Sequence, residues 1–371
     1  TVDVLLGSGN DSFTILGSID DATMISAGAG NDTVLVLDSD GTLEVGGDAG
    51  EDTLILRGNG GAVTLSGGDD NDLVVVDSSG GGVAGAVTVD GGSGIDTLRF
   101  DASSDGADNS GELSADGLTG LGTGEGVSYG NIETVDVLLG SGNDSFTISG
   151  SIDDATMVSA GAGNDTVEVL GSNGTLEVSG DAGEDTLILR GNGGTVTLIG
   201  GADDDTFHVG NSSGTLVDVA GVVTVLGDGG SDSLFVDNSG DVLDNSGELT
   251  ADGLTGLGMS GSLVYDSLEL LDITLGSGHD QMTILSSHEG STQIGGGSGD
   301  DTIHIGSAAG LLDDVAGAVT VDGGAGADTL QFNDSGDSFD NSGELRADGL
   351  TGLGTGEGVS YGNIETVDVL L

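Results

Sequence analysis

The amino-acid sequence predicts an all-β protein, a parallel β-solenoid with about 20 residues and two short strands in each coil. A glycine-rich turn that closes with aspartate occurs thirteen times in 371 residues, and most neighbouring copies within a run lie 20 or 21 residues apart. Apolar residues alternate with other residues on both sides of the turn, which is typical of strands with one buried face. The 76 glycines fall mainly at repeated turn positions, and proline and cysteine are absent.

The closing aspartate of the turn never varies among the thirteen copies. The first copy reads Gly7-Ser8-Gly9-Asn10-Asp11. In every copy the residues two and four positions after the aspartate, and seven positions before it, are apolar. The thirteen aspartates are Asp11, Asp32, Asp52, Asp72, Asp96, Asp144, Asp165, Asp185, Asp205, Asp232, Asp280, Asp301 and Asp328.

The coil that follows Asp32 shows how the pattern divides. Residues 34–36 are the first strand, 38–41 the second turn, 43–45 the second strand and 47–52 the next aspartate turn. Equivalent strands of successive coils are predicted to pair in parallel, about 4.8 Å apart. Stacking then places one carboxylate above the next, which is unfavourable unless a cation lies between them.

A longer repeat contains the short one. Segment 108–139 matches segment 340–371 at every position except one, where Ser114 corresponds to Arg346. The last six residues repeat the first six, so we expect the chain to be one segment of a longer array. The predicted superrepeats are 1–133, 134–270, a shortened third over 271–365, and the start of another over 366–371.

Long inserts near 108–133, 244–269 and 340–365 interrupt the aspartate turns and leave runs of five, five and three. The sequence leaves open whether residues 111–118 form a helical turn or an irregular loop.

The chain has 64 acidic residues, four arginines, no lysine and a formal net charge of −60. Without a bridging cation, this charge excludes nucleic acid and anionic membrane surfaces as direct partners. No segment is long and apolar enough for direct membrane insertion. The absence of cysteine fits an extracellular protein that is exported by a cysteine-poor bacterial route.

The turn resembles the calcium-binding nonapeptide of repeats-in-toxin (hemolysin-type) β-rolls. Residues 92–98, 297–303 and 324–330 carry the resemblance most closely. It implies Ca²⁺ ions between successive turns, held by the thirteen aspartate side chains and by backbone carbonyls. The residue before the aspartate is Ile95 in one copy, so it can offer a metal only its carbonyl. The implied carbonyl ligands are those of Gly7, Gly9, Gly28, Gly30, Gly92, Gly94, Gly140, Gly142, Gly161, Gly163, Gly297, Gly299, Gly324 and Gly326.

Unlike the family, each coil carries the motif at one edge only, so the sequence predicts a single calcium-binding edge with roughly ten ions in the gaps between turns. Aspartate replaces glycine within the turn at Asp48, Asp70, Asp181, Asp203 and Asp228, and it tolerates left-handed backbone geometry. The alternative without metal is that the closing aspartates only stabilise turns, through hydrogen bonds from the side chain to the backbone.

The resemblance and the long repeats predict a non-enzymatic, calcium-stabilised structural region of a giant bacterial adhesin, matrix fibre or surface-layer protein. Its location would be extracellular, at the cell surface or in the matrix. Its partners would be calcium ions and further copies of the repeat, with which it would form a longer array or a filament. The alternative is a secretion-coupled calcium-binding domain of a secreted toxin or hydrolase. A carbohydrate-active β-helix enzyme is disfavoured by the few Arg, His and Tyr residues and the absence of lysine.

Two outward-facing rows in the predicted coils are candidates for surface contacts. Leu35, Ile55 and Val75 would form an apolar stripe for lateral association, or would be covered by an insert. A partial threonine row that includes Thr64 and Thr88 is interrupted by other residues, which disfavours ice binding.

Overall fold

The computed structural model describes residues 2–17, 22–80, 82–151 and 154–371, and these residues form 36 β-strands in two compact units, Thr1–Asp185 and Thr186–Leu371. No helix occurs in the described ranges, and therefore none that is long and apolar enough to cross a membrane. Each unit is a parallel β-solenoid, as the sequence predicts.

The strands of the first unit are β1 (Val2–Gly7), β2 (Ser12–Ile15), β3 (Thr23–Ala29), β4 (Thr33–Val36), β5 (Leu43–Ala49), β6 (Thr53–Leu56), β7 (Val63–Asp69), β8 (Leu73–Asp77), β9 (Val87–Ser93), β10 (Thr97–Asp101), β11 (Ser110–Ser114), β12 (Gly117–Gly120), β13 (Thr123–Gly130), β14 (Thr134–Leu138), β15 (Ser145–Ile148), β16 (Ala155–Ser159), β17 (Thr166–Val169) and β18 (Thr175–Ala182).

The strands of the second unit are β19 (Thr186–Leu189), β20 (Thr195–Ala202), β21 (Thr206–Val209), β22 (Val222–Gly229), β23 (Ser233–Asp237), β24 (Ser246–Thr250), β25 (Gly253–Gly256), β26 (Ser262–Asp266), β27 (Leu270–Thr274), β28 (Gln281–Ile284), β29 (Ser291–Gly295), β30 (Thr302–Ile305), β31 (Val319–Asp322), β32 (Thr329–Asn333), β33 (Gly343–Arg346), β34 (Gly349–Gly352), β35 (Val359–Gly362) and β36 (Thr366–Leu370).

In the first unit, strands that precede an aspartate turn pair in parallel in the order β1-β3-β5-β7-β9, which we call sheet 1. Strands that follow the turn pair in the order β2-β4-β6-β8-β10, which we call sheet 2. In sheet 2 the side chains of Val34, Leu54, Val74 and Leu98 lie in register and are completely buried. Columns of this kind form the core, because stacking aligns equivalent inward positions.

Each insert folds as an antiparallel β-hairpin followed by a strand that rejoins the solenoid, which answers the question that the sequence left open for residues 111–118. In the first insert β11 pairs with β12, and β12 pairs with β13. The hydroxyl of Tyr129 donates a 2.6 Å hydrogen bond to the carbonyl of Ser114 and fastens the hairpin. The same antiparallel pairing occurs between β24, β25 and β26 and between β33, β34 and β35.

The first insert also moves the aspartate turns to the opposite edge of the coils. Strand β14, which precedes the turn of Asp144, pairs with β10, which follows the turn of Asp96. Strand β15, which follows the turn of Asp144, pairs with β11, which joins sheet 1 through β12 and β13. Turns up to Asp96 therefore lead from sheet 1 to sheet 2, and the turns of Asp144 and Asp165 lead back. Each coil has one aspartate edge, as predicted, but that edge changes at the insert.

The second unit repeats this change of edge. Strand β27, which precedes the turn of Asp280, pairs with β23, which follows the turn of Asp232. The insert strand β24 in turn pairs with β28, which follows the turn of Asp280.

The two outward rows are short and chemically mixed. Leu35, Ile55 and Val75 lie in register and are half-buried, and the next position is Arg99, which pairs with Asp136 at 2.7 Å. The row that contains Thr64 and Thr88 runs in register from Asp3 through Met24 and Glu44, so no continuous threonine surface forms in this stretch.

Candidate metal centre

The thirteen predicted aspartates form stacked rows at the edges of the coils. Asp11, in the first coil, is partly exposed. The other twelve are buried, with 3% or less of their surface exposed. Buried aspartates are uncommon unless they are paired or fully hydrogen-bonded, so their partners decide what these rows do.

In most of the buried aspartates of these rows, one carboxylate oxygen has a backbone partner in the preceding coil. The N–H of Asp52 donates to Oδ1 of Asp72 at 2.8 Å, and the N–H of Asp72 donates to Oδ1 of Asp96 at 2.8 Å. This is the turn-stabilising bond that the metal-free alternative predicts. Equivalent bonds join Asp11 to Asp32, Asp32 to Asp52, Asp144 to Asp165, Asp165 to Asp185, Asp205 to Asp232, Asp280 to Asp301, and Asp301 to Asp328.

The second carboxylate oxygen, Oδ2, has no hydrogen-bond donor within the described part of the chain in many of these aspartates. In a set of these aspartates, Oδ2 is buried and accepts no hydrogen bond from the described residues. A buried carboxylate oxygen without a partner costs about 1–3 kcal/mol or more, so it calls for a proton or a cation. The set is Asp32, Asp52, Asp72, Asp96, Asp165, Asp232, Asp280, Asp301 and Asp328.

The electrostatics of the rows agree with this geometry. Burial, with a smaller contribution from neighbouring carboxylates, raises the pKa of Asp52, Asp72, Asp165 and Asp301 to about 6. Two oppositely directed effects meet here, because the backbone hydrogen bond to Oδ1 lowers each pKa and burial outweighs it. Folding therefore makes it more favourable for these carboxylates to bind a proton or a cation.

A glycine five residues before the aspartate makes room beside Oδ2. A Cβ on Gly67 would lie within 3 Å of both Oδ2 of Asp72 and the carbonyl oxygen of Gly91 in the next coil. The strand register skips Gly67 and Gly91, since Ser66 pairs with Asp90 and Gly68 with Gly92. We call this space, bounded by Oδ2 and the next coil's carbonyl, the cradle. It recurs at Gly47 with Asp52, at Gly200 with Asp205 and at Gly296 with Asp301.

The cradle has the donor set that a hard cation prefers. Ca²⁺ takes six to eight oxygen ligands, including carboxylates and backbone carbonyls. Within the described ranges no three acidic or histidine side chains come together at one point, so a cation would depend mainly on carbonyls, with a carboxylate from the closing aspartate. The residues present fit calcium in this way.

The carbonyl glycines predicted from the sequence lie in the same turns, four and two residues before the aspartate. Gly28 and Gly30 have φ angles of 106° and 118°, and a Cβ on either would overlap the carbonyl of Gly7 or Gly9 in the coil before. In this coil, close stacking therefore favours glycine at both positions. The carbonyls of Gly140 and Gly297 accept backbone hydrogen bonds from the next coil. The ligand set itself stays a prediction.

The aspartates that replace turn glycines adopt the expected backbone geometry. Their φ angles lie between 65° and 78°, in the left-handed region. They are Asp48, Asp70, Asp181, Asp203 and Asp228.

Sequence reasoning missed a second ladder, formed by the residue just before the aspartate. The side chain of Asn10 accepts the N–H of Asn31 at 3.1 Å, and that of His279 accepts the N–H of Asp300 at 2.7 Å. This position is apolar at Ile95 and Ala327, which close their runs and have no further aspartate coil to receive. In these two runs the change from a polar to an apolar residue marks the last aspartate turn, whereas the second run ends with Ser231.

Sequence reasoning also missed the residues that start and end a row. At the end, the N–H of Asp96 donates to Oε2 of Glu133 at 2.7 Å, where the next aspartate would otherwise accept. At the start, the N–H of Asn109 donates to Oδ1 of Asp144 at 2.7 Å. Glu133 is followed at two and four positions by the apolar Val135 and Val137, the pattern that follows every closing aspartate. That signal could have identified it.

We predict that Gly67→Ala lowers the free energy of unfolding by about 1–3 kcal/mol and weakens calcium binding, because the new Cβ occupies the cradle beside Asp72. Ala27 and Ala160 stand at the equivalent turn position in other coils, so the variant should fold. Denaturant unfolding with and without calcium measures both effects. Gly80→Ala is the control, since its Cβ meets no atom within 4 Å. Equal behaviour of the two variants would contradict the importance of the cradle.

Comparison with protein-family models and with curated proteins finds no match. Among solved structures, the chain is similar to the X-ray crystal structure of a hyperactive, Ca²⁺-dependent, beta-helical antifreeze protein from an Antarctic bacterium. The two are 21% identical, the match covers 87% of this chain and 77% of that one, and the TM-score is 0.23.

Proposed function

We propose that this chain is a calcium-binding structural repeat region whose rigidity depends on calcium, and that it is not an enzyme. The observation that carries the proposal is the repeated buried Oδ2 that accepts no hydrogen bond and lies beside a carbonyl of the next coil. A single such oxygen would be a local exception. A row of buried carboxylate oxygens without hydrogen-bond donors requires a positive charge at each repeat. The chain itself supplies only four arginines against 64 acidic residues.

Three of the arginines have acidic partners away from the rows. Arg57 pairs with Asp77 at 3.0 Å, and Arg99 pairs with Asp136 at 2.7 Å. Arg346 pairs with Glu344 at 3.0 Å on the surface. Neutralisation of the rows at neutral pH therefore calls for a cation from solution.

Binding of calcium in the rows would couple directly to folding. The cradle exists only when two coils are stacked, so calcium binds the folded chain and not the unfolded one. Each site then adds about 2.7 kcal/mol of stability when free calcium exceeds its dissociation constant by about a hundredfold. Calcium modules of extracellular proteins bind at about 10⁻⁴–10⁻³ M, so such a chain would be unstructured in a cell and rigid outside it.

The proposed setting is extracellular, as a repeat region of a large bacterial surface adhesin, matrix fibre or surface-layer protein. The near-identity of segments 108–139 and 340–371 supports a repeated structural role. The alternative, a secretion-coupled domain of a toxin or hydrolase, would be favoured if the parent chain carried such an enzyme beside these repeats.

The test is a calcium titration of the metal-free chain at neutral pH and constant ionic strength, followed by circular dichroism and equilibrium dialysis. We expect strand structure to increase with calcium, roughly ten ions to bind, and the change to reverse with a chelator. Magnesium at the same concentration is the control, because it prefers six ligands in a tighter octahedral site. Equal structure with and without calcium would overturn the proposal.

A further inference from the structure

We propose that each insert completes one additional calcium site at the end of an aspartate row, formed by the last aspartate, a carbonyl of the insert and a glutamate that replaces the next aspartate. From the sequence alone, ions are expected only between successive aspartate turns. No ion is therefore expected where a row ends at an insert. This inference rests on the proposed function and adds sites to it.

The first observation is the cradle beside Asp96, the last aspartate of its run. Its Oδ2 is buried and accepts no hydrogen bond from the described residues, and 1% of the residue is exposed. A Cβ on Gly91 would lie within 3 Å of this Oδ2 and of the carbonyl oxygen of Asn131. Asn131 thus supplies the carbonyl that a glycine supplies in ordinary coils, and its φ angle of 54° is in the left-handed region.

The second observation is the position of Glu133. Its Oε2 accepts the N–H of Asp96 at 2.7 Å, the bond that Oδ1 of a following aspartate accepts elsewhere. A second negative charge is therefore held beside Asp96, although no aspartate coil follows. Burial raises the pKa of Asp96, and the charge of Glu133 raises it further. A neutral acceptor would satisfy the same N–H without placing a second negative charge beside the buried carboxylate of Asp96.

The same arrangement, a backbone carbonyl and a glutamate beside the last aspartate of a row, recurs at the other two inserts. The N–H of Asp232 donates to Glu269 at 2.6 Å, and the Oδ2 of Asp232 lies beside the position where Ser267 presents its carbonyl. Ser267 replaces asparagine here, also with positive φ, which shows that only its carbonyl is required. The third set is Asp328, Asn363 and Glu365, with a 2.7 Å bond from Asp328 to the glutamate.

The first aspartate turn of a row differs from the last one, and the difference supports an additional cation site at the row end. Asn109, a neutral residue, stands in the coil before Asp144. Oδ2 of Asp144 has a partner, the N–H of Gly140 at 3.3 Å. The residue five positions before Asp144 is Leu139, which is buried, instead of a glycine that would leave space. The start at Asp144 therefore has a hydrogen-bond donor for both carboxylate oxygens.

At the start of the next row, Oδ2 of Asp280 is buried and accepts no hydrogen bond from the described residues, but the residue five positions before it is again a buried leucine, Leu275. Neither of these two starts combines a glycine cradle with a glutamate, whereas the row ends do.

The experiment counts calcium ions bound by the full chain in equilibrium dialysis at saturating free calcium. The test variant is Glu133→Gln/Glu269→Gln/Glu365→Gln, in which the amide oxygen can still accept the backbone N–H. The control is Glu112→Gln/Glu248→Gln/Glu357→Gln, which removes the same charge from exposed positions in the same three inserts. We expect the test variant to bind three ions fewer than the wild type and the control to bind the same number.

A folded test variant that binds as many ions as the wild type would overturn this inference and leave the proposed function intact. A wild-type chain that binds no calcium would instead overturn the proposed function. If the triple variant does not fold, as judged by circular dichroism, the three single variants are measured. Each is expected to lose one ion, and an unchanged count in all three would overturn the inference.

Discussion

Asp72→Asn is expected to stabilise the metal-free protein at neutral pH and to destabilise the calcium-loaded protein. The asparagine oxygen can still accept the N–H of Asp52, so the ladder is kept. Its amide nitrogen replaces the buried Oδ2 that has no hydrogen-bond donor, and it lies beside the carbonyl of Gly91. Removal of this buried charge should raise the metal-free free energy of unfolding by about 1–3 kcal/mol.

With calcium bound, the same substitution removes a charged ligand. The stability that calcium adds at this site, about 2.7 kcal/mol at a hundredfold excess over the dissociation constant, should then be mostly lost. Denaturant unfolding of the wild type and the variant, in chelator and in calcium, gives four free energies of unfolding. The variant is expected to be more stable than the wild type in chelator and less stable in calcium. Asp38→Asn, at an exposed position, is the control for the change of charge. Equal destabilisation in both conditions would favour the reading in which the aspartates only stabilise turns.

The metal-free protein is expected to lose stability as the pH rises through about 6, and the calcium-loaded protein to lose it as the pH falls through the same range. Asp52, Asp72, Asp165 and Asp301 have pKa values of about 6 in the folded chain, against 3.8 ordinarily. A raised folded-state pKa means that the folded chain binds protons more tightly than the unfolded chain. The stabilisation is thus fully present below about pH 4 and disappears above about pH 6, with each carboxylate contributing on the order of 1 kcal/mol.

Calcium reverses this dependence because it binds the deprotonated carboxylates and competes with protons. Melting temperatures measured from about pH 4 to about pH 8, for dialysed metal-free protein and for protein in excess calcium, should give curves that cross. A variant with asparagine at the same four positions should have a much flatter metal-free curve. Metal-free stability that increases between about pH 5 and about pH 7 would show that these carboxylates are not the controlling groups.

The candidate site was only partly accessible to sequence reasoning. The closing aspartate is recognisable because it never varies, and the structure buries twelve of the thirteen. The glycine five positions before it was harder to identify, because Leu139 and Ala160 stand there in some coils and hide its importance. Its role depends on the distance between Oδ2 and a carbonyl about 20 residues away in the chain, which no local pattern reports.

By itself, the sequence determined the period, the two strands of each coil and the buried face of each strand. These follow from local alternation and from the positions of glycine, which act within a few residues. Only the tertiary structure decided that the inserts are β-hairpins, that the aspartate row changes edge at β14, and that Glu133 accepts the N–H of Asp96 at the end of the first row. The physical reason is that these features depend on which strand pairs with which across 35 to 37 residues, as the bonds from Asn109 to Asp144 and from Asp96 to Glu133 show.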